Sequence, residues 1–510
     1  MFYKKPLILK KVKDYQISFS AFANGMNSEV DEGILPYKYA KRCYNYTVKN
    51  GALKNGIGFR ELRLPKSDQD LTDERIIETK YNDDIKAIWL YKYFDPKLNK
   101  PNYQLMYYTT GGKIMWFALT YEYPYTFEIA SFIYSQEVPN AINYRLDGLD
   151  YMIFSSKTEG MWKYNCTKTA QKIENGPSIA SMCLHYERLF AIIENGEHNR
   201  LSFSASLDPT NFNESLSEGG FIEMQDERGP LNRVVSFNDY VYVFRDFGVA
   251  RVSAYGDQTN FSVSQLFISS AKIYGNSVCV CGDRIMFLSR DGIMSFDGYT
   301  TQKLNLGIES LLINVTNENC SSLYYNGKYY LALKLNFDDG EQIGCESYNE
   351  GYINNAIIEV DLKTLDVNIS RGMDIRSMIV VDNGSFCKVV ACFNGEFKDK
   401  LGEMTHDGEI FGTPLKKCWT SPKSNLGYPT KIKRIKEVLI KTKSDCKINV
   451  KTETKDKTFF VTGSNKSQRK KIDVFGEQIE ISFISDKAGD VDISCPQITI
   501  GVTSWLMQNW

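Results

Sequence analysis

Apolar and polar positions alternate along most of this chain in short runs, each closed by turn residues, and one such unit keeps returning. Asp239-Tyr-Val-Tyr-Val-Phe244, Asp283-Arg-Ile-Met-Phe-Leu288 and Gly327-Lys-Tyr-Tyr-Leu-Ala332 start in two equal steps of about 44 residues, the period of a four-stranded propeller blade. Weaker copies start near Asn102, Asp150, Glu187 and Cys387, at steps of about 37 to 60 residues, as loop insertions between repeats produce. Seven copies predict six to eight blades. Inside one copy, Ile285–Leu288 is a strand, Ser289-Arg-Asp-Gly292 a turn and Ile293–Phe296 the returning strand, because Asp-Gly supplies a positive-φ position and an Asp side chain that holds the turn. Tyr151–Phe154 with Met161–Tyr164, and Tyr240–Phe244 with Val249–Val252, repeat the scheme through Glu159-Gly160 and Phe247-Gly248.

The two ends read differently. Residues 1–60 form an entry segment dense in turn residues, with a short helix expected over Tyr37–Tyr46 and a hairpin turn at Asn55-Gly56 between Leu53 and Ile57. Residues 61–414 hold the repeats. Beyond Gly412-Thr-Pro414 the texture changes. Ile432, Ile435, Val438, Ile440, Ile448 and Val450 alternate with basic residues, and Phe459–Val461, Ile479–Phe483 and Ile498–Ile500 look like further strands, so residues 415–510 read as a small β-sandwich. The expected fold is thus all-β: a multi-bladed β-propeller with an N-terminal entry segment and a small C-terminal β-sandwich.

Length and composition agree. At 510 residues, 43% hydrophobic and 24% charged, with 32 Tyr and 29 Phe, the chain suits a strand-rich soluble protein of two or three domains. No apolar run reaches the length of a membrane span, and the basic opening Met1-Phe-Tyr-Lys-Lys-Pro6 lacks the apolar stretch of a secretory signal. The 12 Cys are scattered, as small buried hydrophobes are, so a reducing cytoplasm is the simpler site of synthesis. Cys279-Val-Cys281 shares one strand face, but no second pair lies at zinc spacing, and His185, His198 and His406 stand far apart. No metal site and no cofactor are expected.

Catalytic signatures are missing too: no G-x-S-x-G elbow, no His-Glu-x-x-His, no phosphate loop, no dinucleotide fingerprint. The acidic run Asp338-Asp339-Gly340-Glu341 reads as a solvated loop rather than a calcium site, which needs six or more oxygens at set spacing. No catalytic residue is expected.

Charge is uneven behind a net value of -1. About 17 Lys and Arg face about four Asp and Glu between Lys416 and Lys471, and the first 13 residues carry five Lys and no acid. The candidate partner-facing residues are Lys431, Lys433, Arg434, Lys436, Lys441, Lys443, Arg469, Lys470 and Lys471. They could meet an acidic partner subunit, meet nucleic acid phosphate, or simply face water from one side of the sandwich. Few aromatics are interleaved among them, unlike single-strand binders that stack bases.

Two stretches carry a resemblance. Gly25-Met-Asn27, Leu35-Pro36, Ala40, Asn45, Gly51-Ala-Leu53 and Gly56-Ile-Gly58 resemble the opening of β-propeller virion proteins of tailed bacteriophages. Arg200–Ala205, Asp208–Asn211, Gly219–Ile222, Gly229-Pro230, Val241–Phe244 and Phe287–Ile293 resemble the propeller core of tail-nozzle, head-to-tail connector and packaged-DNA-stabilisation proteins. Where such openings often carry an Arg, this chain has Lys54-Asn55. The hairpin Ser289-x-Asp-Gly with Phe296 also resembles that of sialidase-type propellers, where it is a folding device.

The resemblance implies a structural subunit of the tail or neck, without enzymatic activity, made in the host bacterial cytoplasm and carried in the virion. Its implied partners are further copies in a homo-oligomeric ring (six-fold being one form), portal or adaptor proteins, distal tail or fibre proteins, and genomic DNA in passing. The other function class is a tail-tip propeller that binds or cleaves carbohydrate during host recognition. Exposed aromatics such as Tyr121–Tyr125 would give it a stacking platform for sugar rings.

Overall fold

A computed structural model describes residues 13–19, 22, 25–31, 33–67, 69–79, 83–119, 126–132, 138–193, 199–215, 218–347 and 352–502. Strands and short 3-10 turns make up its regular structure, with no α-helix among the described residues. Seven sheets, antiparallel except for one parallel pair in the last, follow one another along the chain in a propeller-like fold. Their first strands are Ile85–Asp95, Asn140–Leu146, Ile179–His185, Leu231–Phe237, Ile273–Cys281, Ser321–Tyr325 and Ile375–Asp382, and these sheets are numbered 1 to 7 below.

The recurring phrase is the second strand of every sheet: Lys100–Thr109, Leu149–Ser156, Arg188–Ile193, Tyr240–Arg245, Arg284–Ser289, Lys328–Leu333 and Cys387–Phe393. A second strand has a neighbouring sheet on both faces, so it reads as a continuous apolar run rather than an alternating one. Tyr240–Arg245 shows this, with Val241 through Arg245 all buried.

Seven separate apolar cores result, each shared by two consecutive sheets. The last joins Val390, Cys392 and Leu401 of sheet 7 to Ile85, Leu105 and Met115 of sheet 1. Sheet 7 takes its outer strand from the other end of the chain, since Gly58–Glu61 pairs antiparallel with Leu401–Thr405. Phe59, fully buried, meets Phe393 edge-on at 5.2 Å.

Two more sheets share an eighth core. One joins Lys13–Ser18, Tyr46–Lys49 and Ala52–Asn55 to Lys433–Thr442, Ser464–Gly476 and Asp492–Val502. The other joins Arg42–Tyr44 to Lys417–Thr420, Cys446–Thr452, Asp456–Val461 and Ile479–Ser485. Trp419 sits between them with Phe19 and Phe22 edge-on at 5.6 and 5.0 Å. Strands from both ends of the chain are therefore woven into one apolar unit.

Two local expectations are corrected. Tyr37–Tyr46 is not helical: Arg42–Tyr44 is a strand paired with Lys417–Thr420, a tertiary pairing that overrides weak local propensity. Nor is Asn55-Gly56 a hairpin turn. The turn is at Asn50 and Gly51, with φ of 53° and 73°, joining Tyr46–Lys49 to Ala52–Asn55. Gly56 instead lets the chain step from the end sheet into sheet 7, and a Cβ there would lie 2.8 Å from the Asn45 carbonyl.

Eleven Cys are described and all are free thiols, seven of them buried. The Tyr121–Tyr125 platform and His198 lie outside the described residues.

Between sheets 6 and 7, Glu359 is fully buried. It accepts hydrogen bonds from Lys328 Nζ at 2.7 Å and Asn368 Nδ2 at 3.1 Å, and His406 Nε2 lies 3.7 Å away. Burial alone would raise its carboxyl, but His406 and Lys328 outweigh burial and hold it at about 2, against an ordinary 4.5. A depressed carboxyl adds stability that is complete above the unfolded value and lost as pH falls through the folded one. We therefore expect urea stability to drop by roughly 2–3 kcal/mol between pH 5 and pH 2 through this group. Glu359→Gln should flatten that portion of the profile, and an unchanged profile would contradict the assignment.

Candidate functional site

The basic stretch lies mainly on the six-stranded end sheet. Lys433–Thr442 runs between Asp492–Val502 and Ser464–Gly476, turning Ile435, Val438 and Ile440 into the core. The three-residue step from Ile435 to Val438 breaks strict alternation, and a bulge between Ile435 and Glu437 absorbs it.

The nine candidate cations divide into three groups. Arg434 donates from Nε to Asp473 at 2.6 Å, Lys436 to Asp14 at 2.5 Å and Lys443 to Asp490 at 2.9 Å, while Arg469 lies 3.6 Å from Glu437. Such exposed surface pairs contribute little to stability, because water screens them and their long side chains lose freedom in pairing. Lys433 departs from the expected water-facing position. It is fully buried, and its Nζ donates to the carbonyls of Tyr428 and Glu477. Being at the strand end, its stem packs inward while the ammonium reaches backbone oxygens; burial lowers its pKa, partly offset by Glu477.

Lys431, Lys441 and Lys471 are exposed and Lys470 half-buried, and none has an ion-pair partner among the described residues. Cross-strand register places Lys471 opposite Glu437 and Arg469 opposite Leu439, on the outer side with Lys441. The unneutralised part of the basic surface is thus Lys431, Lys441, Lys470 and Lys471.

A second site is where the end sheets meet sheet 6. Arg371, fully buried at the end of Val367–Arg371, donates to Glu346 at 3.0 and 2.6 Å and to Asp339 at 2.7 Å. Its guanidinium stacks 3.8 Å from the Phe337 ring centre and 4.8 Å from that of Tyr44. Tyr44 donates from its hydroxyl to Glu341 at 2.6 Å, and Lys416 donates to the same carboxylate at 2.8 Å. Asn45 completes the joint, accepting from the Arg371 amide and donating to the Lys416 carbonyl.

Of the acidic run, Asp338 and Gly340 are exposed, while the Asp339 and Glu341 carboxylates are taken up by this network. Beside the joint is a cleft of about 560 Å³ lined by Met26, Ser28, Lys41, Arg42, Ser310 and Asn336. Among the described residues no three His, Cys, Asp or Glu side chains gather as metal ligands would.

Sequence reasoning named Asp339 and Glu341 but missed Arg371 and Glu346. Their one signal is an Arg ending an apolar strand, in Val367–Arg371. Also missed was an aromatic surface on the turns of sheets 3 to 5. Tyr255 and Tyr299 are 74% and 65% exposed. Tyr186 lies edge-on to Tyr255 at 5.3 Å, and Arg251 sits 4.5 Å from the Tyr240 ring centre and 5.3 Å from that of Tyr299. The available signal was tyrosine beside turn residues, as in Tyr255-Gly256 and Gly298-Tyr299.

No family model and no curated protein matches the chain. Among solved structures, it is similar to BBS1N crystallised in complex with ARL6DN. The TM-score is 0.41 at 9% identity, over 68% of this chain and 96% of that one. It is also similar to the computationally designed Ika8 protein, with a TM-score of 0.34 at 8% identity over 65% of this chain and 98% of that one. Likenesses this distant say nothing about what the chain does.

Proposed function

We propose that the chain is a structural subunit of a bacteriophage tail or neck, forming a nozzle or connector ring. In that role it joins the portal or adaptor to distal tail or fibre parts, and helps retain and channel the genome. The proposal includes a finer division of the fold: a closed seven-bladed propeller over residues 61–414, its last sheet taking in Gly58–Glu61, and a β-sandwich built on residues 415–502 with strands from between residues 13 and 55 of the entry segment threaded through it.

The observation that supports this reading is where the family-like opening residues lie. The Ala40 and Asn27 amides donate to the Gly25 and Ala40 carbonyls. Asn45 ties Arg371 to Lys416, the Ile57 amide donates to Ser370, and Gly58 fits against the Glu409 backbone. The residues that carry the resemblance are joint residues, as expected of a motif that is architectural. A rigid closed sheet ring with short protected edges suits a building block, and cyclic assemblies join two different faces of one subunit. Lys441 and Lys471, on the outer side of the end sheet, would belong to one such face.

Lys441→Glu with Lys471→Glu is expected to reduce ring formation at least tenfold, read by native mass spectrometry, with the monomer still folded. Rings at the wild-type level would remove this surface from the proposal. Lys433 is the wrong probe, since reversing a buried ammonium would unfold the sandwich instead.

The tyrosine surface favours the second reading, a carbohydrate-binding propeller, because exposed rings stack on pyranose faces. Saturable binding of host cell-wall glycan by the monomer, lost in Tyr255→Ala, would favour it. Tyr is equally suited to a subunit interface.

A further inference from the structure

In sheets 2 to 6 the first and second strands are joined by two-residue turns. The first turn residue has positive φ every time: Asp147 50°, Tyr186 50°, Asn238 50°, Gly282 70° and Asn326 49°. Such turns select Asn, Asp and Gly, because a larger side chain is crowded by its own backbone in that conformation. Tyr186 is the exception, and its ring is 46% exposed, so it is not there to fill a core. Leu207, in the loop between the third and fourth strands of sheet 3, repeats the conflict with φ of 59° and 67% exposure. Folding alone favours neither residue.

Both lie on one continuous surface. The Leu207 amide donates to the Glu187 carbonyl at 2.9 Å. The Tyr186 hydroxyl donates to Asp239 at 3.4 Å and its ring meets that of Tyr255 edge-on, which joins sheet 3 to sheet 4. The Tyr242 hydroxyl donates to the Gly298 carbonyl at 3.2 Å, and Arg251 reaches the Tyr240 and Tyr299 rings, which joins sheet 4 to sheet 5.

Charge on this surface is one-sided. Asp239, Asp257 and Asp297 are exposed on its turns and Glu187 is half-buried, and none has an ion-pair partner among the described residues. The turns themselves carry no Lys or Arg. Of the nearby cations, Arg251 is occupied by the two rings and Arg284 by Asp283.

Exposed apolar side chains held in an unfavourable turn geometry, beside unpaired carboxylates, suit contact with a cationic surface. This chain carries one: Lys441 and Lys471, exposed on the outer side of the end sheet around half-buried Leu439. An ammonium is attracted both to carboxylates and to the faces of tyrosine rings. We propose that the tyrosine face of sheets 3 to 5 receives the basic end sheet of a second copy of this chain, Lys441 and Lys471 meeting Tyr186, Tyr255 and the carboxylates beside them. The two faces differ, so the contact is heterologous and repeats from copy to copy. It rests on the ring-forming reading above and supplies the second face that a ring needs.

Sedimentation velocity of the full chain over a concentration series, alone and with the portal or adaptor protein of the same genome, tests this. Glu187→Lys with Asp239→Lys should weaken association between copies at least tenfold, as Lys441→Glu with Lys471→Glu should. An equimolar mixture of the two double variants should recover association to within a few-fold of wild type, because each basic face then has an acidic one to meet. Tyr186→Asn relieves the turn, so it should weaken association several-fold with a melting temperature equal to or above that of wild type. Association of the Glu187/Asp239 variant at the wild-type level, or a mixture that stays monomeric, would overturn this contact and leave the ring reading standing. So would a lower melting temperature of Tyr186→Asn with association unchanged, or host cell-wall glycan binding lost in Tyr255→Ala while association persists. A wild type that stays monomeric under every condition would overturn both.

Discussion

Arg371→Met is expected to destabilise the protein by about 3–5 kcal/mol, the usual cost of removing one partner from a buried ion network. The arginine is fully buried and bonded to both Asp339 and Glu346, so its loss leaves two carboxylates in a low-dielectric joint. Burial already holds Glu346 above the ordinary carboxylate range, against the pull of Arg371. Without Arg371 it should rise further. A carboxyl raised on folding costs stability increasingly as pH climbs above the unfolded value, so the deficit should be larger at pH 8 than at pH 5. Urea unfolding followed through buried Trp419 measures it. Adding Glu346→Leu and Asp339→Asn should recover part of the loss, because replacing a whole buried network is far cheaper than breaking it. A pH-independent deficit, or no recovery, would contradict this account of the joint.

Phe59→Ala should cost a similar amount, about 3–5 kcal/mol, as for other buried Phe truncations. The effect should be local first. Gly58–Glu61 is the strand that links Leu401–Thr405 to Glu409–Ile410 in sheet 7, and Phe59 anchors it in the core shared by sheets 6 and 7. Amide exchange in Leu401–Thr405 should therefore accelerate well before that in Tyr240–Arg245 of sheet 4, which shares no core with sheet 7. Gly58→Ala should act in the same direction, since a Cβ there would stand 2.4 Å from the Glu409 carbonyl oxygen. Uniform acceleration across all seven sheets would mean that the N-terminal strand is no separate closing element.

How far the sequence is legible follows from where each strand lies. Second strands are covered on both sides, which wrote their phrase seven times. Outer strands such as Gln171–Lys172 and Thr301–Lys303 are largely exposed and leave no apolar trace. Tyr37–Tyr46 contains no helix breaker, so only its partner near the far end of the chain decides that Arg42–Tyr44 is extended. The basic stretch was legible as charge, but burial of Lys433 depends on two carbonyls brought to the strand end by tertiary structure. Arg371 and its carboxylates were invisible as a group because they come from separate segments.

The proposal that this chain builds a tail or neck ring is tested most directly by its mass in solution. Native mass spectrometry should be run on the purified protein alone and mixed with the portal or adaptor protein of the same genome. The account predicts a closed ring of defined stoichiometry, formed either alone or on addition of that partner. A monomer that ignores the portal and adaptor at every concentration would contradict it.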